Sequence, residues 1–422
     1  MPQTKSKGSF EKPSNDRPRV SRAQKTREVQ TAITNSALEL LATNGVDGLA
    51  LTKIAANAGM SNGPLYGRYD SAEDVALELW EEKLSSQFTR LVQEFDSFAS
   101  SPGVDPSEWL GQELAQPSVL TRGAIEIIAV ARRFPLLVDS VRNDVEALFH
   151  QICAAHPETP PSICTLRLTL PTGAVLNSGS SSLPRPAWRS SLFRFRTCTL
   201  DPANHNQRGR TAPPTILSVP RPDTGDLGLD EFVTAVMEVV ARVGFEKTTA
   251  HRVARAASHS FSSAYTHVNS KDELMHLAIS QMIMQIWKTG TASMIELNAD
   301  EYMDAIIALQ LGLMDDVNRA GRQLRIETTV AMRHHPDLAA AGRERKAASV
   351  AIITDALGGV DSASSNDAAG YWYLTSANGI GVVALSLLTT AFRDLDWSPV
   401  AAATYQMALE STLEPLRKLA KA

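Results

Sequence analysis

Apolar residues in the stretch TREVQTAITNSALELLATNG, which begins at Thr26, recur at helical spacing. Val29, Ile33, Ala37, Leu40 and Leu41 fall on one stripe. Asn44-Gly45 ends that stripe, because glycine takes the left-handed conformation that closes a helix. The next run, Leu51 to Ala58, places Ile54, Ala55 and Ala58 on one face. Gly59 breaks it, and Ser61 is placed to cap a third helix starting at Asn62. Ala55 is small enough for two helices to approach, Gly59 four residues later makes the turn, and Leu65 seats the following helix. This is the spacing of a helix-turn-helix, whose second helix enters the DNA major groove. A generic helical hairpin is the plainer reading of the same pattern.

The pattern returns once. At a constant offset of 199, Phe232, Val236, Val239 and Val240 repeat the first stripe, and Gly244-Phe245 repeats its end. Val253-Ala254, Ala257, Tyr265 and Ser270 follow in step. The copies differ in instructive places. Ser258 stands where the first has Gly59, and Ala264 where it has Leu65. Conversely, Thr249 offers a helix cap where the first copy has Ala50, and Ser270 with Glu273 makes a capping box. The repeat extends further: EIIAVARRFPLLVDSVR from Glu126 matches ETTVAMRHHPDLAAAGR from Glu327 at an offset of 201. Arg132, Pro135 and Arg142 pair with Arg333, Pro336 and Arg343. The repeating unit is therefore larger than the motif.

After Ile163 the likeness fails. The second half continues with two apolar helices, expected over Ala368 to Phe392 and Pro399 to Leu416. The first half offers a Pro/Ser/Arg-rich stretch over 164–228, which reads as a linker. Trp188, Phe193 and Phe195 sit awkwardly in a linker, and a compensated frameshift is the alternative. One permitted back-translation from Asn177, one base out of frame, resembles the apolar helix that follows Ala377. With the first half lacking such helices, those of the second half would be exposed, predicting self-association through them.

Composition narrows the function classes. Of 422 residues, 43% are hydrophobic and 21% charged, as in an ordinary globular protein. The net charge of -5 excludes a uniformly basic nucleic-acid binder, but charge is local: residues 1–27 hold eight Lys or Arg against Glu11 and Asp16. That segment reads as a disordered arm suited to phosphate contact. No apolar run reaches the ~20 residues of a membrane span and no signal-peptide core opens the chain, so a cytoplasmic, nucleoid-associated protein is expected. Cys153, Cys164 and Cys198 show no metal spacing, and a reducing compartment fits them. His334-His335 read as a helix-terminal pair rather than a metal site. His259, His267 and His276 lack carboxylate or cysteine partners at ligand spacing. No phosphate loop, nucleophile triad or paired-carboxylate context stands out, so neither an enzyme nor a cofactor is expected.

The run GVDGLALTKIAANAGMSNGPLYGRYDSAEDV resembles the DNA-binding head of the tetracycline-repressor (TetR) family of bacterial transcription regulators. The resemblance rests on Gly45, Ile54-Ala55, Ala58-Gly59, Leu65-Tyr66, and Ser71 with Glu73. It implies an all-α fold of two TetR-like units, each a three-helix head followed by a helical body, with the first body truncated or disrupted. The expected division is an arm over 1–27, heads over 28–75 and 229–283, and bodies over 76–163 and 284–422. The resemblance implies a ligand-responsive repressor that binds double-stranded DNA and releases it on binding a small molecule. Its contact positions map onto Thr52, Asn62, Gly63, Pro64, Tyr66 and Arg68 of the first head. In the second they fall on Thr249, Phe261, Ser262, Ser263, Tyr265, His267 and Lys271, the poorer set for reading bases. Trp372, Tyr373 and the Gly379/Gly381 pair are candidates for a ligand pocket, with core and close helix packing as the plainer reading. The alternative function is an all-helical ligand-binding or interaction protein without sequence-specific DNA binding.

Overall fold

The computed structural model describes residues 22–179, 185–213, 221–258, 273–278, 280–281, 298–356 and 362–409, and among these there is no strand. The first head comprises α1 (Arg22–Asn44), α2 (Leu51–Asn57) and α3 (Gly63–Tyr66). Helix α1 begins inside the segment read as a disordered arm, so the arm's predicted end at Arg27 lies too late. Ile33, Ala37 and Leu41 of the predicted stripe are buried, whereas Val29 at its start is 39% exposed.

From α4 (Ala72–Leu79) the chain passes through one π-helical turn, Trp80–Leu84, into α5 (Ser85–Ser100). Such a turn re-aims a helix without ending it. Trp80 there is fully buried, and its indole N–H donates to Asp144 at 2.8 Å. Helices α6 (Glu108–Ala115), α7 (Val119–Val130) and α8 (Pro135–Ala155) complete the packing around α5.

The segment read as a linker is largely helical where it is described, with 206–213 and 221–226 outside any helix. Helix α9 (Pro161–Asn177) runs across the predicted boundary at residue 163, and α10 (Arg185–Leu200) and α11 (Pro202–His205) follow. Pro161 in the first turn starts α9, where a missing N–H costs nothing. From Ser162 to Asn177 every residue of α9 is buried. A helix enclosed on all sides has no apolar stripe, which is why periodicity did not find it. Three of its polar side chains are bonded, Thr165 to the Ser162 carbonyl at 2.6 Å, Thr169 to Asn378 at 2.8 Å, and Asn177 to Ser376 at 3.1 Å, whereas the buried hydroxyls of Ser162 and Thr172 have no partner. The arginines that made the segment look solvated have fixed partners. Arg167 pairs with Asp96, and Arg196 donates to the carbonyls of Ser101 and Val104 while lying over Phe98 and Phe193.

In the second half, α12 (Leu227–Val243) and α13 (Ala250–Ala256) open the second head. They are followed by α14 (Ala299–Gly312), α15 (Arg319–His334), α16 (Pro336–Ala356), α17 (Ser362–Ser386) and α18 (Ser398–Leu409). Helix α17 starts and ends six residues earlier than the sequence pattern predicts, and α18 starts one residue earlier, with residues beyond 409 outside the described ones. Helix α17 lies along α9, while α10 packs on both α17 and α18. The apolar faces expected to be exposed are thus covered within the chain, which removes the basis of the predicted self-association.

At the α9–α17 crossing the backbones touch. A Cβ on Gly173 would fall 1.8 Å from the carbonyl oxygen of Ala377, and one on Gly381 would fall 1.9 Å from that of Thr169. A single offset of 208 carries Thr169 onto Ala377 and Gly173 onto Gly381, so each contact is the other's counterpart. Such reciprocity is the mark of a two-fold interface. It assigns Gly381 to close packing, the plainer of its two readings.

Candidate nucleic-acid interface

In the first head, Leu51, Ile54, Ala55 and Leu65 point inward, and the Ser36 hydroxyl ties α1 to the Ile54 carbonyl at 2.8 Å. Gly59 closes α2 at φ +66°, and the Met60 N–H then reaches the Ala55 carbonyl at 3.0 Å. The cap of α3 differs from expectation. Asn62, not Ser61, is the N-cap, and it makes no side-chain cap bond; Pro64 in the first turn fixes the start instead. With the apolar side seated, Thr52, Asn62, Gly63, Pro64, Tyr66 and Arg68 are all exposed, Tyr66 to 55%.

Arg68 is held. Its guanidinium lies 3.5 Å from Glu78 and over the Tyr69 ring, and the Tyr69 hydroxyl donates to the same carboxylate at 3.0 Å. Burial raises the Tyr69 pKa, with Glu78 adding to the rise. Glu78 and Tyr69 escaped the sequence reading because a partner ten residues ahead on another helix leaves no spacing signal. The cap at Ser71 also differs in detail. Its capping box is closed by Asp74, whereas Glu73 accepts the Leu136 N–H at 2.6 Å and so docks α4 on α8.

In the second head, Gly244 ends α12 at φ +86°, as Gly45 ends α1 at +71°. The Thr249 hydroxyl accepts the Arg252 N–H at 3.3 Å and caps α13, so this exposed side chain is committed to the helix start. Val253 and Ala254 are buried as predicted. Ser258 sits at φ +58°, the conformation its counterpart Gly59 adopts freely. Phe261, Ser262, Ser263, Tyr265, His267 and Lys271, with Ser270 of the expected capping box, lie outside the described residues.

Between the heads lies a buried ionic seam that sequence reasoning missed. Arg133 donates to Asp47 of the first head at 3.0 Å, to the Val243 carbonyl of the second at 2.9 Å, and meets Glu327 of α15 at 3.1 Å. Arg132 also pairs with Glu327. On the other side Glu126 accepts the Val46 N–H at 2.9 Å and meets His334 at 2.7 Å. Lys247 reaches Asp47 at 3.3 Å and covers the Phe134 ring, while His335 pairs with Glu246 at 2.7 Å. Burial opposes the charge on Arg133, but Glu327 and Asp47 outweigh it and hold its pKa above the ordinary value. The offset of 201 turns Glu126–His334 into Glu327–Arg133, so this seam too is reciprocal. Both histidines terminate α15 as read from sequence, with carboxylates as partners.

Trp372 and Tyr373 are buried in α17, and burial pushes the Tyr373 hydroxyl pKa well up. Neither lines the half-open cleft of about 350 Å³ between α14 and the α17–α18 turn, whose walls include Arg210, Ile307, Leu311, Arg393 and Trp397. Among the described residues no single helix is long and apolar enough to cross a membrane. Neither a protein-family model nor a curated protein matches this chain.

Proposed function

We propose that the chain is a DNA-binding transcription regulator of TetR type, a tandem in which two subunit-like halves hold two helix-turn-helix heads in one molecule. The observation that carries this reading is the sidedness of the first head. Its anchors Ile54, Ala55 and Leu65 are fully buried, and all six residues at contact positions face solvent. In this reading Asn62, Gly63 and Pro64 meet base edges while Thr52, Tyr66 and Arg68 meet the phosphate backbone. The reciprocal seam and helix crossing support a built-in pair, with the seam setting the spacing of the heads. The reading includes release by a small-molecule effector, for which the cleft beside Arg393 and Trp397 is the site, and a repressor's place on the nucleoid.

Binding to random-sequence duplex DNA across a salt series tests this. Phosphate contacts give a linear fall of log affinity with log salt, by about 0.9 per phosphate neutralised. Arg68→Ala should weaken binding on every sequence and flatten the slope. Absence of salt-dependent binding by the intact chain would leave the alternative, a helical ligand-binding or interaction protein.

A further inference from the structure

The equivalent helices α2 and α13 seat the same side but turn different chemistry outward. At the offset of 199 the buried pair Ile54 and Ala55 becomes the buried pair Val253 and Ala254. Opposite that side stand Thr52, Lys53 and Ala56 in α2, and His251, Arg252 and Arg255 in α13. All six are exposed. Residues 251, 252 and 255 share one face, because positions three and four apart on a helix are neighbours. Where the first head shows one cation, the second shows two guanidiniums and an imidazole.

The chain around this face carries no opposing charge. Residues 247–271 hold four Lys or Arg, three His and no Asp or Glu, whereas the matching 48–72 hold Lys53 and Arg68 with Asp70. Glu246, just before the stretch, pairs with His335 at 2.7 Å. Lys247 is taken up by Asp47 at 3.3 Å. Arg252, by contrast, donates from Nη1 to the neutral Lys247 carbonyl at 2.6 Å, which holds the guanidinium in place without cancelling its charge. In the first head Arg68 faces a carboxylate, Glu78, at 3.5 Å. Guanidiniums match phosphate geometry, and an array of them binds a polyanion whatever its sequence.

We propose that the two heads divide the work: the first reads base edges, and the second is a sequence-independent clamp. Its α13 face, His251, Arg252 and Arg255, grips the phosphate backbone of the same duplex. This rests on the DNA-binding reading above and adds to it an operator with one informative half. Asn62 of the first head is a residue type that makes a two-point bond to adenine. Its counterparts in the second, Phe261, Ser262 and Ser263, include no side chain that bonds a base at two points. Thr249 is committed to its helix cap, and His251 stands in the place of Thr52. Affinity at the second head therefore comes from charge.

The test uses the full chain, a pool of random-sequence duplexes and a salt series. The intact chain should select a preferred sequence confined to one half of the bound stretch, a result that needs no variant to fold. The double variant Arg252→Ala, Arg255→Ala should weaken binding to selected and random duplexes by the same factor. It should lower the salt slope by about 1.8, at about 0.9 per phosphate, with the selected sequence unchanged. Arg252→Lys with Arg255→Lys should restore the slope, which separates lost charge from lost folding. An unchanged slope in the alanine variant, an altered selected sequence, or a preference with two equal halves overturns the clamp and leaves the regulator reading standing. Absence of salt-dependent binding by the intact chain overturns both.

Discussion

The two heads solve one backbone problem with opposite residues. In the first, the turn after α2 uses Gly59, at home at φ +66°, while Ala50 starts the helix with no side-chain cap. In the second, Thr249 caps the helix and Ser258 is carried at φ +58°, where a side chain costs about 1–2 kcal/mol. The surrounding packing, not the turn residue, therefore decides the turn's shape. The cores differ as well. Buried residues of the first head join one continuous core with both bodies, whereas the second head closes a separate core with α15 and Leu338 of α16.

The largest test of that difference is Glu327→Ala. It would strand Arg132 and Arg133 without their shared carboxylate, and removing one partner of a buried pair costs about 3–5 kcal/mol. Denaturant titration should show that loss, and a change under about 1 kcal/mol would mean the seam contributes no net stability. Next come reciprocal exchanges at the turn. Gly59→Ser should lower stability by about 1–2 kcal/mol, and Ser258→Gly should raise it by about 1 kcal/mol. A destabilising Ser258→Gly would show that the hydroxyl is the real constraint there. Smaller still are the caps: Thr249→Ala should lose about 1 kcal/mol and Ala50→Thr gain somewhat less, both read as melting shifts.

Asp396 provides a control outside both heads. Burial pushes its pKa up, but the Ser398 hydroxyl and N–H and the Gly209 N–H outweigh that and hold it below the ordinary value. A carboxylate lowered in the folded state stabilises fully above the unfolded value, about pH 4, and that contribution fades as pH falls through the folded value. Asp396→Asn should flatten stability against pH in that acid window only. If it alters the neutral plateau's dependence on pH, the assignment is wrong.

The heads were the most legible part of the chain. Ile54, Ala55 and Leu65, or Phe232 and Val236, alternate against solvent and so leave a period in the sequence. Helix α9 left none, being covered on every side, and its Pro171 and threonines imitate a loop. Helix α10 imitates a solvated segment because Arg196 reaches carbonyls of the 101–104 turn, a partnership invisible locally. The seam was hidden for a related reason. Arg133, Glu327 and Asp47 are ordinary charged residues far apart in the chain, and only the fold gives them a common burial. Arg68 was legible as an exposed cation but not as the partner of Glu78.

The crossing of α9 over α17 joins halves of one polypeptide, so its formation is a first-order event. Two separate chains forming such a contact must meet anew after each dissociation, and dilution pulls them apart. Here the tether fixes the effective concentration of one half around the other, a quantity independent of how many molecules are present. Closing a loop of this length carries an entropy cost that grows only with the logarithm of its size. The pairing of the halves is therefore buffered against expression level, and a single copy of the molecule is already paired.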